Sequence, residues 1–190
     1  MRSAVTLLSV AVVVLVQAVV VNRLPFGALS DGGPGPDLAV AAVVALALTT
    51  GPATAAGWGF GVGLALDVLP PADHAIGRYA LVLCLAGYLV SLIHRNTGAP
   101  GGIGARTSRW FALGAVLLAA LGVGVAYAAL GVLMGDPRAG LSDIAVAVGL
   151  GAGLTVLAAP LVTLPLLWLR ESLSDHEFAT VQGPMSPGGW

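Results

Sequence analysis

Long apolar segments separated by short polar ones make up most of the chain. A bilayer hydrocarbon core about 30 Å thick needs about 20 helical residues to cross it. Stretches near that length without Asp, Glu or Arg occur at Ala4–Val21, Tyr79–Ile93, Trp110–Met134 and Ile144–Leu169. The charged residues lie in the segments that flank these stretches. The pattern predicts four membrane-spanning helices.

A further apolar region, Leu38–Leu69, is too long for one straight spanning helix. Gly51-Pro52 interrupts it, and such a pair ends a helix and turns the chain. We therefore predict an all-α, polytopic integral membrane protein with six transmembrane helices, of which the second and third are short. In a five-span alternative this region is one tilted helix. That alternative fits the arginines only if the amino terminus is outside, and Arg2 argues against it.

The arginines indicate the orientation, because cytoplasmic loops carry the excess of Lys and Arg. In the six-span arrangement five arginines fall on the cytoplasmic side: Arg2, Arg95, Arg106, Arg109 and Arg170. Three fall on the outer side, where the loops also hold aspartates: Arg23, Arg78 and Arg138. We predict that both termini are cytoplasmic.

Composition agrees with a membrane protein and excludes several functions. Of the 190 residues, 57% are hydrophobic and 9% charged, and the mean hydropathy of +0.95 excludes a water-soluble fold. The formal net charge is -1, with eight arginines and no lysine, so nucleic acid is not an expected partner. Cys84 is the only cysteine, which excludes an internal disulfide and a thiolate metal cluster.

The domain organisation predicted from the sequence is simple. Residues 1–170 form one six-helix transmembrane domain, and residues 171–190 form a polar, disordered cytoplasmic tail. The triplet Val16-Gln17-Ala18 matches the small-x-small pattern of signal-peptide cleavage sites. The apolar run continues through Val21, which favours an uncleaved anchor.

The predicted third helix is rich in glycine. Three of its residues follow helical i, i+4, i+8 spacing: Gly59, Gly63 and Asp67. Gly57 and Gly61 form a second pair on a rotated face. Small residues at this spacing let membrane helices approach closely, either within the bundle or against a partner's helix. For the second interpretation the candidate partner-binding residues are Gly57, Gly59, Phe60, Gly61, Gly63 and Asp67.

Acids and prolines mark the predicted helix ends. Asp67 lies at the outer interface, where a carboxylate either faces a partner or simply ends the span. Asp37 directly precedes the second helix, and a carboxylate there favours capping of the helix amino terminus. Structural roles at helix ends are assigned to Pro36, Asp37, Gly51, Pro52, Pro70 and Pro71.

No catalytic or metal-binding set is recognisable in the sequence. The histidines are scattered at positions 74, 94 and 176, and the pair Asp73-His74 does not by itself bring two ligands to one metal. The motifs of serine hydrolases, zinc proteases and phosphate-binding loops do not occur. We therefore expect neither an enzyme nor a cofactor.

The order of these features resembles a known family. The run Gly59–Asp67 followed by Val68-Leu69-Pro70-Pro71 resembles the central motif of the bacterial rod shape-determining protein MreD. Three further motifs occur in the matching order: Arg23-Leu24-Pro25, Pro36-Asp37-Leu38 and Ala86-Gly87-Tyr88-Leu89. The resemblance covers about Ala4 to His94, and beyond Trp110 only the helix pattern agrees.

The resemblance implies a non-enzymatic scaffold in the bacterial cytoplasmic membrane that supports rod shape and lateral peptidoglycan synthesis. It implies direct association with MreC and, through MreC, with MreB, RodA and a class B penicillin-binding protein. The family is also similar in plan to the substrate-binding subunits of vitamin-uptake transporters. This similarity gives an alternative, a subunit that binds a small molecule in an outward cavity near Asp67 and Trp58.

The predicted orientation can be tested by cysteine labelling in intact cells. We expect Gly33→Cys to react with an impermeant thiol reagent, because its loop lies outside. Gly102→Cys lies in the arginine-rich loop between Arg95 and Arg109 and should stay unlabelled. Labelling of Gly102→Cys would contradict the six-span arrangement.

Overall fold

The computed structural model describes residues 2–23, 35–69, 76–97, 108–134 and 141–181. These residues form α-helices and one 3-10 turn, with no strand among them, which confirms the all-α prediction. The helices are α1 (Arg2–Val19), α2 (Leu38–Ala47), α3 (Pro52–Val68), α4 (Arg78–Asn96), α5 (Arg109–Leu133) and α6 (Leu141–Val181). Four stretches are long and apolar enough to cross a membrane: Ala4–Arg23, Arg78–Asn96, Arg109–Leu133 and Ile144–Arg170.

Helix α2 lies at the centre of the bundle. It contains only alanine, valine and leucine, and its residues Ala39–Ala47 are all buried. A helix that is apolar on every side has to be enclosed by others, and all five other helices pack against α2. Ten residues give a length of about 15 Å, about half the thickness of a bilayer's hydrocarbon core.

Helices α2 and α3 form a hairpin. Gly51 is the residue before α3 and Pro52 is its first residue, where the missing N–H of proline leaves no hydrogen bond unmade. The start of α2 and the end of α3 both contact Tyr79, so α3 returns to the level at which α2 began. The region Leu38–Leu69 is therefore two short helices, which the Gly-Pro pair predicted.

Helix α3 packs more extensively on α4 than on any other helix, and glycines make this contact possible. A Cβ atom at Gly59 would collide with the carbonyl oxygen of Leu83, and one at Gly63 would lie 2.5 Å from the Cα of Ala80. On the α4 side, a Cβ at Gly87 would lie 2.6 Å from the carbonyl oxygen of Ala55. The two backbones are thus too close for any side chain at these glycines.

The outer surface of the bundle is strongly apolar. Leu118, Leu157 and Leu161 are more than 70% exposed, with fractions of 72%, 78% and 78%. So much apolar surface is unfavourable in water, whereas contact with lipid chains involves no such free-energy penalty. Trp110 and Trp168 are also exposed and lie within two residues of an arginine, a pattern that fits a membrane interface.

Helix α6 is longer than predicted. It continues beyond Arg170 to Val181, which corrects the prediction of disorder for residues 171–181. These residues contain no glycine or proline, and the first helix-ending pair is Gly183-Pro184. Several predicted features lie outside the described residues: Leu24-Pro25, Pro70-Pro71, Asp73-His74, the loop glycines 101–104 and the end of the tail, 182–190.

The α3–α4 contact predicts unequal effects of four glycine substitutions. We expect Gly59→Ala and Gly63→Ala to destabilise the protein by about 2 kcal/mol or more, because the added methyl group meets backbone atoms. Gly57→Ala and Gly61→Ala are matched controls on the same helix, since a Cβ there has nothing within 4 Å. Thermal unfolding of the detergent-purified protein measures the difference. Equal unfolding temperatures for the four variants would contradict the packing.

Candidate functional site

Polar side chains from several helices meet at one end of the bundle. We call it the carboxylate end, because Asp37 and Asp67 both lie there. Helices α2 and α4 begin at this end, and α3 finishes at it. The carboxylates, together with Gln17, Tyr79 and Thr155, form one hydrogen-bonded cluster.

Asp37 caps the central helix α2. Its Oδ1 accepts hydrogen bonds from the backbone N–H groups of Ala39 and Val40, at 3.0 and 3.1 Å. Its Oδ2 accepts a hydrogen bond from the hydroxyl of Tyr79 on α4. The carboxylate thus satisfies the exposed N–H groups at the start of the helix, where the helix dipole also favours a negative charge.

Two further side chains complete the cap of α2. Gln17 of α1 accepts a hydrogen bond from the N–H of Leu38 at 2.8 Å and donates one to the carbonyl of Pro36 at 3.3 Å. The N–H of Asp37 donates to the hydroxyl of Thr155 on α6, at 2.9 Å. The start of α2 is therefore joined to both α1 and α6, although the bonding residues are far apart in the chain.

Asp67 caps α4 from the end of α3. Its Oδ2 accepts from the N–H groups of Gly77 and Ala80, at 2.8 and 3.0 Å, and its Oδ1 accepts from that of Tyr79, at 3.3 Å. Gly77 has a φ of +94°, a left-handed conformation that glycine adopts without strain. Only 2% of Asp67 is exposed, and three backbone N–H groups donate to its carboxylate.

Arg78 links α4 to α5 beside this cluster. Its Nη2 donates to the carbonyl oxygen of Tyr127 at 2.5 Å, and its Cζ lies 3.8 Å from the centroid of the Tyr127 ring. The rings of Tyr79 and Tyr127 pack edge to face, with centroids 6.0 Å apart. The cation over an aromatic face and the edge-to-face pair both fix the start of α4 against α5.

The structure divides the predicted partner-binding residues into two groups. Gly59, Gly63 and Asp67 are buried against α4, so the prediction that they receive a partner's helix is wrong. The contact within the bundle, which was the other interpretation, occupies this face. The second group, on the opposite side of α3, is exposed: Gly57, Phe60 and Gly61.

The exposed side of α3 adjoins a groove. This groove, of about 370 Å³, lies between α1 and α3 and is lined by apolar side chains. Gly61, Val62 and Trp58 line it from α3, and Val10 and Val14 are among the residues that line it from α1. Asp67 and Trp58 therefore do not share a cavity, because Asp67 is enclosed between α3 and α4.

Side chains that commonly bind metals are dispersed among the described residues. No three His, Cys, Asp or Glu side chains among them converge on a possible metal site. His94 packs against Phe111 at the opposite end of α4, with ring centroids 5.3 Å apart. No family model, curated protein or solved structure matches this chain. The chemistry that the carboxylate end supports is therefore hydrogen bonding and charge recognition.

Sequence reasoning missed most of this cluster. Tyr79, Tyr127 and Thr155 are single polar residues in apolar runs, with no spacing that connects them. A usable signal does exist, because polar residues inside membrane spans usually have a partner. Gln17 and Thr155 are such residues, but their common partner, the start of α2, becomes visible only in the structure.

The capping role of Asp67 predicts a loss of stability when its carboxylate is removed. We expect Asp67→Ala to destabilise the protein by about 1–3 kcal/mol, because it leaves buried N–H groups at the start of α4 without an acceptor. Thr97→Ala is the control, since it removes an exposed hydrogen bond at the other end of α4. Thermal unfolding in detergent should separate the two variants. Identical unfolding temperatures would contradict a capping role.

Proposed function

We propose that the chain is a non-enzymatic membrane scaffold of the MreD type in the cell-wall elongation complex. In this role it associates directly with MreC and, through MreC, with MreB, RodA and a class B penicillin-binding protein. It lies in the cytoplasmic membrane of a bacterium. The chain has six membrane helices, and both of its termini lie in the cytoplasm. Its function is to hold a single-span partner in place and thereby support rod shape.

The observation that carries the proposal is the open glycine pair on α3. A Cβ at Gly57 or Gly61 has no atom within 4 Å, although both residues lie on a helix whose opposite side is tightly packed. Small residues four positions apart are the common means by which membrane helices bind one another. Among the described residues nothing packs against either glycine, and Gly61 lines the apolar groove of α1 and α3, which supports an external helix as its occupant.

The motif order of the first half of the chain also supports the proposal. The glycine run before Asp67 and the motif Pro36-Asp37-Leu38 resemble MreD in sequence. In the structure these motifs lie in one hairpin, in which Asp37 caps α2 and Asp67 caps α4. The residues that resemble MreD thus cap and pack the helices of the bundle that presents the open face of α3.

The membrane location has independent support from the surface. Exposed leucines cover the outer faces of the long helices, and the exposed Trp110 and Trp168 lie within two residues of Arg109 and Arg170. Aromatic residues beside arginines at one level are typical of a membrane interface on the cytoplasmic side. The alternative of a vitamin-type transporter subunit expects a cavity near both Asp67 and Trp58. It has less support, because Asp67 is enclosed between α3 and α4, whereas Trp58 lines the groove between α1 and α3.

Co-purification with co-expressed MreC tests the proposal. We expect Gly61→Leu to reduce the recovery of MreC by roughly fivefold or more, because a leucine side chain blocks the close approach of two helices. The variant should unfold at the same temperature as the wild type, since nothing inside the bundle touches this position. The variant thus separates partner binding from folding, which a substitution at Gly63 would not do.

Gly114→Leu is the matched control on α5, where the residues four positions away are Trp110 and Leu118 and form no small-residue pair with it. It is an exposed glycine at which a Cβ also has nothing within 4 Å, and it lies on a different helix. Its recovery of MreC should equal that of the wild type. If Gly61→Leu retains MreC at the wild-type level, the open face of α3 is not the contact. If the wild type itself does not recover MreC, the proposed complex is wrong.

A further inference from the structure

A cavity of about 280 Å³ lies between α2, α4, α5 and α6, near the carboxylate end. It is separate from the groove between α1 and α3, with which it shares no lining residue. Apolar side chains make up most of its wall, and its polar lining consists of Asp37, Tyr79, Tyr127 and Thr155. A cavity that combines an apolar wall with a few polar groups is the usual form of a small-molecule site.

The polar groups of the cavity present acceptors. The Tyr79 hydroxyl already donates its hydrogen to Asp37, and the Thr155 hydroxyl donates its hydrogen to the carbonyl of Gly151 at 2.7 Å. The capacity that remains at Asp37 and Tyr79 is on oxygen lone pairs. A molecule that forms hydrogen bonds with these two groups must therefore bring the donors itself.

Asp37 also lacks a cationic partner among the residues that the structure describes. Arg78, which adjoins Tyr79 in the chain, lies over the ring of Tyr127 and donates to the Tyr127 carbonyl. The hydrogen bonds to Asp37 come from neutral N–H and O–H groups. A carboxylate in so apolar a bundle is costly without an opposite charge, and a cation in the cavity would supply one.

The size of the cavity decides which kind of cation fits. One water molecule takes a share of about 30 Å³ in the liquid, so a bare metal ion would leave most of the cavity empty. The apolar residues of α5 and α6, such as Val123 and Val148, offer no ligands to a metal but suit a hydrocarbon body. We propose that this cavity binds a monovalent organic cation, with an ammonium or guanidinium group at Asp37 and Tyr79 and an apolar body between α5 and α6.

Calorimetric titration of the purified full chain in zwitterionic nanodiscs tests the inference without any partner protein. The probes are phenethylammonium, 2-phenylethanol and 3-phenylpropanoate, which share a phenethyl body and carry positive, zero and negative charge at neutral pH. After subtraction of empty nanodiscs, we expect saturable binding of the ammonium. The affinity for the alcohol should be about tenfold lower, and that for the carboxylate lower still.

Two variants locate the binding. Asp37→Asn keeps an oxygen for capping α2 but removes the charge, so it should weaken ammonium binding by about tenfold and leave alcohol binding unchanged. Ala128→Leu fills the cavity and should weaken both by a similar factor. Ala129→Leu is the matched control, because Ala129 is exposed on the same helix and does not line the cavity; it should bind as the wild type does.

Several results would overturn the inference. Equal affinities for the ammonium and the alcohol would exclude recognition of charge, and unchanged ammonium binding by Ala128→Leu would exclude the cavity. Absence of saturable ammonium binding would exclude a site for organic cations in this cavity. If Asp37→Asn does not fold, two results still test the inference: the order of the wild-type affinities for the three probes, and the effect of Ala128→Leu on binding. None of these measurements depends on MreC, so the inference and the proposed function can fail separately.

Discussion

A short helix without a polar face, enclosed on all sides, imposes the main constraint on this structure. The residues at the two ends of α2 are partly buried, and every buried backbone group there requires a partner from the protein. At the amino end the partners are Asp37, Gln17 and Thr155. At the carboxyl end the hydroxyls of Thr49 and Thr50 bind carbonyls of the last turn. The polar residues of the bundle are therefore concentrated where α2 begins and ends.

The surrounding helices are held by the same groups that satisfy α2. Tyr79 donates to Asp37 and its own N–H binds Asp67, so α4 is attached to both members of the hairpin. At the other end Ser91 of α4 donates to the carbonyl of Thr50 at 2.7 Å. Between these two points α4 lies directly against the glycines of α3. Packing by glycine and polar contacts at the ends together fix α4 against the hairpin.

The sequence allowed the helices to be placed because the information for them is local. Apolar length predicted the long helices, Gly51-Pro52 predicted the turn of the hairpin, and an acid before an apolar run predicted the cap at Asp37. Which surface a glycine faces is not local information. Gly57 and Gly59 have the same chemistry and similar neighbours, and only the position of α4 makes one buried and the other open.

Contacts between residues that are distant in the chain likewise cannot be predicted from the sequence pattern. Thr155 and Asp37 are 118 residues apart, and neither has a spacing that indicates the other. The tail departs from the prediction for a different reason, because polarity alone does not imply disorder. A polar segment without glycine or proline can continue a helix that has already begun, which α6 does as far as Val181.

The link between Asp37 and Thr155 has a consequence for the order in which the protein is made. Helix α2 is synthesised early, whereas the hydroxyl that accepts its first N–H belongs to the last helix. At about 15 Å it is also too short to cross the hydrocarbon core unaided. The hairpin of α2 and α3 therefore stays beside α1 until α6 leaves the ribosome. During this time the N–H of Asp37, at the amino end of α2, lacks its bond to Thr155. Assembly of this bundle is completed from the carboxyl-terminal side, and a nascent chain that stops before α6 has no enclosed centre.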